Sequence, residues 1–158
     1  MAENSHKGCH NLPEPLSEDL ALKELITKAY YLYSKLQNSN LKFRNKKIVV
    51  DKNKSSCYLW DKTFDHLITE EAGGIRVYSK ERLRTLLWME EILINCYHYS
   101  CPKLRINRIL ESSKPKYKLE CPIANYCVIL GRRRKTNDYL LITAYPLEEV
   151  KEKELIKK

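Results

Sequence analysis

The stretch Tyr126–Pro146, YCVILGRRRKTNDYLLITAYP, decides the fold of this 158-residue chain. Its two apolar runs, NYCVIL and YLLITAYP, lie on either side of the basic and turn-rich segment GRRRKTND. Two such runs joined by a turn-forming segment are typical of a β-hairpin. Because the hydrophobicity is continuous rather than alternating, we expect both faces of these strands to be covered. The stretch therefore predicts two central strands of a sheet that is packed by helices or loops.

Two helical patterns precede this hairpin. Apolar residues recur at helical spacing from Ser17, the expected N-cap, to about Gln37. Ser79 starts a second pattern, SKERLRTLLWMEEILINC, which ends at Cys96. The charged segment 147–158 is expected to form a short helical tail.

Several shorter segments indicate strands. The segments 41–50 (LKFRNKKIVV), 57–60 (CYLW) and 63–68 (TFDHLI) each suggest a short strand. The basic segment 102–122 is ambiguous and contains a candidate short helix around Leu104–Leu110. The order of helix, strands, helix and strands predicts an α+β fold, with N-terminal helices packed on a roughly four-stranded antiparallel sheet.

Length and composition predict one domain with a proper hydrophobic core, because 43% of the 158 residues are hydrophobic. The polar residues 1–15 are expected to form a flexible N-terminal arm, and 16–158 a single domain. The chain has neither a signal-peptide pattern at its start nor an apolar run of about 18 residues. We therefore expect a cytoplasmic protein with no membrane contact, while delivery into another cell stays open.

The charge balance points to the class of partner. The 29 Lys and Arg residues exceed the 20 Asp and Glu residues and give a net charge of +9. Such an excess favours a polyanionic partner, either a nucleic acid or an acidic protein.

The six cysteines are expected to be reduced thiols, because nothing in the sequence directs export. Two clusters could suggest a metal: His6, Cys9 and His10, and His98 with Cys101. Neither has the paired spacing that closes a tetrahedral zinc site. We therefore predict no metal and no cofactor.

The motifs that the chain lacks narrow the chemistry. The sequence contains no Walker A loop, GxGxxG, HExxH or GxSxG, and its four glycines cannot form a glycine-rich phosphate cradle. A basic chain with several tyrosines and few histidines suits cleavage of RNA, in which the substrate's own 2′-hydroxyl attacks the phosphorus. Such a protein needs a base, an acid and a cation beside the phosphate, and no cofactor.

His66, in WDKTFDHLI, is the candidate acid or base, and a structural histidine is the alternative interpretation. His98 is the reserve candidate. Thr143 and Tyr145 share one face of the last predicted strand, because side chains alternate along a strand. They could orient a phosphate or satisfy main-chain groups.

The turn of the hairpin concentrates positive charge at Arg132, Arg133, Arg134 and Lys135. Phosphate contact is one interpretation of this run, and a solvated turn is the other.

Three segments together resemble the phage-type branch of the barnase–EndoU–colicin–RelE-like (BECR-fold) nuclease superfamily. These are FDHLI at 64–68, ERLRTLLWMEEILIN at 81–95 and the hairpin Tyr126–Pro146 with its Thr-Ala-Tyr ending. The resemblance spans roughly residues 41–147 and implies a helical N-terminal part on a four-stranded antiparallel sheet.

The resemblance implies a ribonuclease, a hydrolase often used as a toxin against RNA such as tRNA. It implies that His66 is the acid–base histidine and Arg82 the helix cation. It also implies that Thr143 is the polar residue of the last strand, with Tyr145 beside it. These four residues are the predicted catalytic set.

The sequence departs from the family pattern at one position, where Thr85 replaces a second arginine expected three residues after Arg82. Arg84 is adjacent but would face elsewhere on a helix. Arg76 or the hairpin arginines could supply the missing cation. Arg76 and the hairpin cations are therefore predicted to bind the substrate.

Two other functions stay open. One is a non-catalytic RNA- or ribosome-binding module that uses the basic hairpin. The other is an interaction protein for an acidic partner, which is compatible with a toxic nuclease that needs a cognate antitoxin or immunity protein. The sequence leaves the RNA target and any base preference undetermined.

Overall fold

The computed structural model describes residues 13–50, 62–97, 103–111 and 114–147. Its helices are α1 (Leu22–Gln37), α2 (Lys62–Ile68), α3 (Lys80–Thr85) and α4 (Leu87–Glu91), followed by a π-helical turn at Ile92–Cys96. Its strands are β1 (Lys42–Phe43), β2 (Lys46–Val49), β3 (Thr69–Ala72), β4 (Ile75–Tyr78), β5 (Arg105–Glu111), β6 (Lys114–Cys121), β7 (Tyr126–Arg133) and β8 (Asp138–Pro146). The predicted strand at 57–60, most of the predicted arm and the predicted helical tail after Leu147 lie outside the described residues.

The fold is α+β, as predicted, but its sheet differs from the expected one. A six-stranded sheet has the order β1-β2-β8-β7-β6-β5, and β3 and β4 form a separate two-stranded sheet. The prediction of a four-stranded antiparallel sheet is wrong, because β2 runs parallel to β8 and the sheet is mixed. The reason is that β8 is long enough to pair with β7 on one side while its first residues also pair with β2 on the other.

The hairpin β7–β8 lies at the centre of the large sheet, as its continuous hydrophobicity predicts. The helices pack on the face that carries Val128, Leu130 and Leu141, all of which are fully buried. In the described part of the chain, no helix combines the length and the hydrophobicity needed to cross a membrane.

Three strand and helix predictions are wrong for local reasons. The segment 41–50 is a tight hairpin rather than one strand, because Arg44 and Asn45 adopt φ values of 52° and 65°, as in a type I′ turn. The segment TFDHLI is mostly helix α2, since Phe64, Leu67 and Ile68 bury one side at helical spacing. The candidate helix at Leu104–Leu110 is strand β5, which pairs with β6 along its whole length.

The two predicted helices exist with altered bounds. The first begins at Leu22, because Ser17 instead closes a turn in which its hydroxyl accepts from the Asp19 amide at 3.1 Å. The second begins after Ser79 as predicted, and the Ser79 hydroxyl accepts from the Arg82 amide at 3.1 Å. This helix is divided at Leu86 into α3 and α4.

The expectation that every cysteine is a reduced thiol is wrong for Cys121, which is disulfide-bonded. The second sulfur of this bond lies outside the described side chains. Cys127 is a free and buried thiol. The prediction was based on the missing export signal, whereas the disulfide depends on which sulfurs the fold brings together.

A β-bulge in β8 determines which side chains face the helices. Ile129 of β7 lies opposite Thr143 and the next residue, Leu130, lies opposite Leu141, so Ile142 has no partner in β7. Before the bulge, the Leu141 side chain is buried against the helices. After the bulge, Ala144 is the residue whose side chain faces the helices. Without the extra residue, strict alternation would put Thr143 and Tyr145 in the core. The bulge therefore presents both side chains on the opposite face.

Candidate active site

A cavity of about 470 Å³ lies where β8 continues beyond its pairing with β2. Helices α2 and α3 pack against β8 at this point. The side chains around the cavity are Thr63, His66, Arg76, Arg82, Leu140, Leu141, Ile142, Thr143 and Tyr145. All four predicted catalytic residues and the predicted substrate cation Arg76 therefore line one concave surface.

His66 presents its side chain to solvent from the last turn of α2. Phe64 and Leu67, on the other side of this short helix, are fully buried and anchor it to the core. The main-chain oxygen of His66 accepts a hydrogen bond from Arg82 Nη1 at 2.8 Å. The exposed position favours the acid–base interpretation over a histidine packed in the core.

Arg82 is buried, and the C-terminal end of α2 holds its guanidinium. Its Nη1 donates to the main-chain oxygens of His66 at 2.8 Å and Thr69 at 2.6 Å. Its guanidinium carbon lies 5.4 Å from the centre of the Tyr145 ring, within the range of a cation–π contact. Since carbonyl oxygens carry the negative end of a helix dipole, this position stabilises the buried cation.

Arg76 reaches the same place from β4. Its Nε donates to the Thr69 hydroxyl at 2.8 Å and its Nη2 to the Thr69 main-chain oxygen at 2.6 Å. Arg76 and Arg82 therefore place two positive charges on one wall of the cavity. Like charges held so close favour an anion beside them.

Asp65 lies beside these cations and was missed by the sequence analysis. The residue is 4% exposed, and its Oδ1 is buried without a hydrogen-bond partner. Burial raises the pKa of the Asp65 carboxyl, while the charges of His66 and Arg76 oppose that rise. The sequence signal that could have identified Asp65 is its position directly before the candidate histidine His66.

Tyr145 is held between Arg82 and Cys127. Cys127 lies directly opposite Tyr145 in the β7–β8 pair. Burial raises the pKa of the Cys127 thiol to about 11, and a hydrogen bond from the Tyr145 side chain opposes this rise. The Tyr145 ring thus lies between the Arg82 guanidinium and the strand that carries Cys127.

Position 85, where the resemblance leads us to expect a second arginine, does not contribute a positive charge to the cavity. Thr85 is fully buried, and its hydroxyl donates to the Glu81 main-chain oxygen at 2.7 Å. Arg84 faces away, as predicted, and its Nε donates to the Leu16 main-chain oxygen at 2.6 Å. Of the predicted substitutes for the missing arginine, Arg76 lines the cavity and the hairpin arginines do not.

Two of the four hairpin cations serve the turn itself. Arg133 forms a bidentate pair with Asp138 at 2.8 and 2.9 Å. Arg132 donates to Asn137 Oδ1 at 2.7 Å and to the Asp138 main-chain oxygen at 3.0 Å. Their neighbours Arg134 and Lys135 are exposed. Arg132 and Arg133 thus help to hold the turn together, and phosphate contact stays a prediction for all four cations.

The predicted reserve histidine His98 and the cysteines at 9, 57 and 101 lie outside the described residues, as does the side chain of Cys96. Among the side chains that are described, no group of at least three His, Cys, Asp or Glu residues is placed to hold a metal ion.

Comparison with protein-family models, with curated proteins and with solved structures gave no match. The resemblance to BECR-fold nucleases therefore depends on its three short motifs alone.

Proposed function

We propose that this protein is a metal-independent endoribonuclease, a toxin-like enzyme that cleaves RNA by attack of the 2′-hydroxyl on the adjacent phosphorus. The observation that carries this proposal is the convergence of His66, Arg76, Arg82 and Thr143 on one cavity. An exposed imidazole can act as the base, while two guanidinium groups and a hydroxyl can stabilise the charge on the phosphate and water supplies the acid. The cavity volume of about 470 Å³ lies within the range typical of small ligand sites.

In the proposed reaction, His66 accepts the proton of the 2′-hydroxyl as the new bond from that oxygen to phosphorus forms. Arg76 and Arg82 stabilise the negative charge that develops on the phosphate oxygens, and the Thr143 hydroxyl donates to one of them. The bond from phosphorus to the 5′-oxygen then breaks, and that oxygen takes a proton from water. The products are a 2′,3′-cyclic phosphate and a 5′-hydroxyl, and the imidazolium returns its proton to solvent.

Tyr145 has a positioning role in this proposal. Its ring lies against the Arg82 guanidinium, and Tyr145 lies opposite Cys127 in the β7–β8 pair. The RNA target, whether tRNA-like or messenger RNA, and a neutralising antitoxin or immunity protein are further expectations. A cytoplasmic location also stays a prediction.

The test is cleavage of a 5′-labelled single-stranded RNA by the purified chain in EDTA. We expect products that end in a 2′,3′-cyclic phosphate, and no cleavage where a 2′-deoxy nucleotide replaces the attacking one. The variant His66→Gln is expected to lose about 100-fold or more in rate. The variant keeps the main-chain oxygen that accepts from Arg82 Nη1, and urea unfolding measured beside the rate establishes that the loss of cleavage is not a loss of folding.

The matched control is Lys28→Gln, at an exposed position of α1 that does not line the cavity. It is expected to cleave at the wild-type rate. Full activity of His66→Gln would contradict the role of His66 as the base. Cleavage that depends on a divalent ion would contradict the proposal of a metal-independent ribonuclease.

A non-catalytic RNA- or ribosome-binding module is the second candidate, because Arg134 and Lys135 are exposed in the hairpin turn. This candidate predicts salt-sensitive binding without cleavage. It also predicts that binding is indifferent to His66→Gln.

A further inference from the structure

A second cavity, of about 640 Å³, lies on the same side of the large sheet as Thr143 and Tyr145. It shares Leu140 and Ile142 with the candidate active site, so the two cavities lie next to each other along β8. It is larger than the first cavity and also within the range of ligand sites. The two together form a groove that runs from His66 toward the turn of the hairpin.

The floor of this cavity is apolar. Pro115, Leu140 and Ile142 line it, and Gly131 of β7 lies between them. Apolar and flat surfaces of this kind suit the face of an aromatic heterocycle.

Gly131 is the unusual residue of this floor, because it interrupts a central strand of otherwise large side chains. Its φ is not positive, so the strand conformation does not require glycine here. A Cβ at this position would lie 3.1 Å from Ile142 Cδ1, above the floor of the cavity. Glycine inside a strand weakens it and often marks a close approach of a ligand. Here its missing side chain leaves room for the Ile142 side chain, and a larger residue would push Ile142 out of its place in the floor.

The rim of the cavity is positively charged. Lys116, Arg134 and Lys135 line it, and Thr136 adds a hydroxyl. Arg134 and Lys135 are exposed, whereas their neighbour Arg133 is paired with Asp138. An apolar floor beside the exposed cations Arg134 and Lys135 fits a nucleotide, whose base is flat and whose phosphate is anionic.

Given the ribonuclease proposed above, on which this step rests, we propose that the second cavity binds the base and phosphate of the nucleotide that lies beyond the two flanking the cleaved bond. The substrate is then single-stranded RNA, because a base that stacks in this cavity cannot remain in a duplex. Two sites in one groove also require a minimum length, so a dinucleotide is a poor ligand and a longer strand a good one.

The experiment measures binding of 2′-O-methyl oligonucleotides, which cannot be cleaved because the attacking hydroxyl is blocked. For the wild-type chain we expect the Kd of a hexanucleotide to be about 5- to 140-fold below that of a dinucleotide, the range for stacking of one base. In Gly131→Val, the added methyl groups fill the floor, and we expect this gain with length to disappear. Thermal unfolding and far-ultraviolet circular dichroism establish that the variant is folded. Gly131→Ala adds a smaller side chain at the same position, so its effect on binding is expected to be smaller.

The charged rim is tested separately through salt dependence. The double variant Arg134→Gln/Lys135→Gln is expected to reduce the slope of log Kd against log salt by about 1.4, since each neutralised phosphate of a single strand contributes about 0.7. The matched control is Lys23→Gln/Lys28→Gln, which removes the same charge from exposed positions of α1 outside both cavities. It is expected to keep the wild-type slope.

The two proposals fail in distinguishable ways. Length-dependent binding that Gly131→Val abolishes supports the second cavity even if the unmodified RNA is not cleaved, and in that case only the proposed function is wrong. Cleavage together with binding that ignores both length and Gly131→Val overturns the second cavity alone. Displacement of the hexanucleotide by a polyglutamate peptide of equal charge and at equal concentration also overturns it, because the surface then recognises charge without bases.

Discussion

Arg76 and Arg82 donate hydrogen bonds to the same acceptor, the main-chain oxygen of Thr69, and each does so over 2.6 Å. The two side chains come from different elements, β4 and α3, and they meet at the C-terminal end of α2. Because carbonyl oxygens there carry partial negative charge, they hold two cations that would otherwise repel each other. This shared acceptor gives the cavity its positive wall.

Arg82→Lys tests whether the guanidinium is needed. A lysine is shorter and carries a compact ammonium in place of the planar guanidinium, so we expect at least one of the two hydrogen bonds that Arg82 Nη1 donates to be lost. The free energy of unfolding is expected to fall by about 1–3 kcal/mol, and RNA cleavage by at least about tenfold. Urea unfolding and kcat/KM measure the two effects. Arg76→Lys is the comparison, and because Arg76 is less buried, its loss of stability is expected to be smaller. Wild-type stability and activity in Arg82→Lys would contradict the positioning described above.

Tyr145→Phe and Tyr145→Leu separate the ring from the hydroxyl. The ring contacts the Arg82 guanidinium, while Tyr145 lies opposite Cys127 in the strand pair. Phenylalanine keeps the cation–π contact, so we expect this variant to retain most of the cleavage rate. Leucine removes the contact and is expected to reduce kcat by about 2- to 30-fold, from the 0.5–2 kcal/mol typical of such contacts. A rate for Tyr145→Phe as low as that for Tyr145→Leu would assign the chemistry to the hydroxyl instead.

Asp65→Asn is expected to change stability in a pH-dependent way. Burial raises the pKa of the Asp65 carboxyl, so its protonated form favours the folded state. This contribution is fully present below the ordinary pKa near 3.8 and is lost as the pH rises through the raised pKa. Asparagine cannot ionise, so the stability of the variant relative to the wild type should increase from pH 3 to pH 7. Melting temperatures across this range measure the trend, and a difference independent of pH would contradict it.

Asp138→Asn is expected to show the opposite dependence. The hydrogen bonds from Arg133 hold the pKa of the Asp138 carboxyl below its usual range. The stabilisation is present above the ordinary pKa of 3.8 and is lost as the pH falls through the lowered pKa. We expect the substitution to cost about 1–2 kcal/mol at pH 7 and less at pH 3, measured by urea unfolding.

The control for this ion pair is Glu81→Gln. Its partner Arg84 lies at 3.5 Å and the Glu81 side chain is 57% exposed. Exposed pairs of this kind contribute little, so the cost at pH 7 is expected to be below about 0.5 kcal/mol. An equal cost for both substitutions would show that the geometry of the Arg133 pair adds nothing.

The parts of the fold that the sequence predicted correctly are those with strong local signals. The hairpin β7–β8 has two long apolar runs, and Ser79 provides a hydroxyl that caps the helix carrying Arg82. The errors fall where the signal is short. Helix α2 has only 7 residues, too few for its periodicity to be distinguished from that of a strand. The parallel pairing of β2 with β8 joins segments far apart in the chain, and no local pattern encodes it.

By itself, the sequence determined the α+β class, the central hairpin and a set of candidate residues that share polar chemistry and positive charge. Only the tertiary structure decided which of them act together. The bulge at Ile142 turns Thr143 away from the core. The Thr69 main-chain oxygen, just after α2, accepts from both Arg76 and Arg82 and so places them on one wall of the cavity. The same structure uses Arg133 inside the turn, whereas Arg134 stays exposed. The physical reason is that charge and periodicity are local properties of a chain, whereas a cavity depends on the register, packing and hydrogen-bond acceptors that distant segments supply.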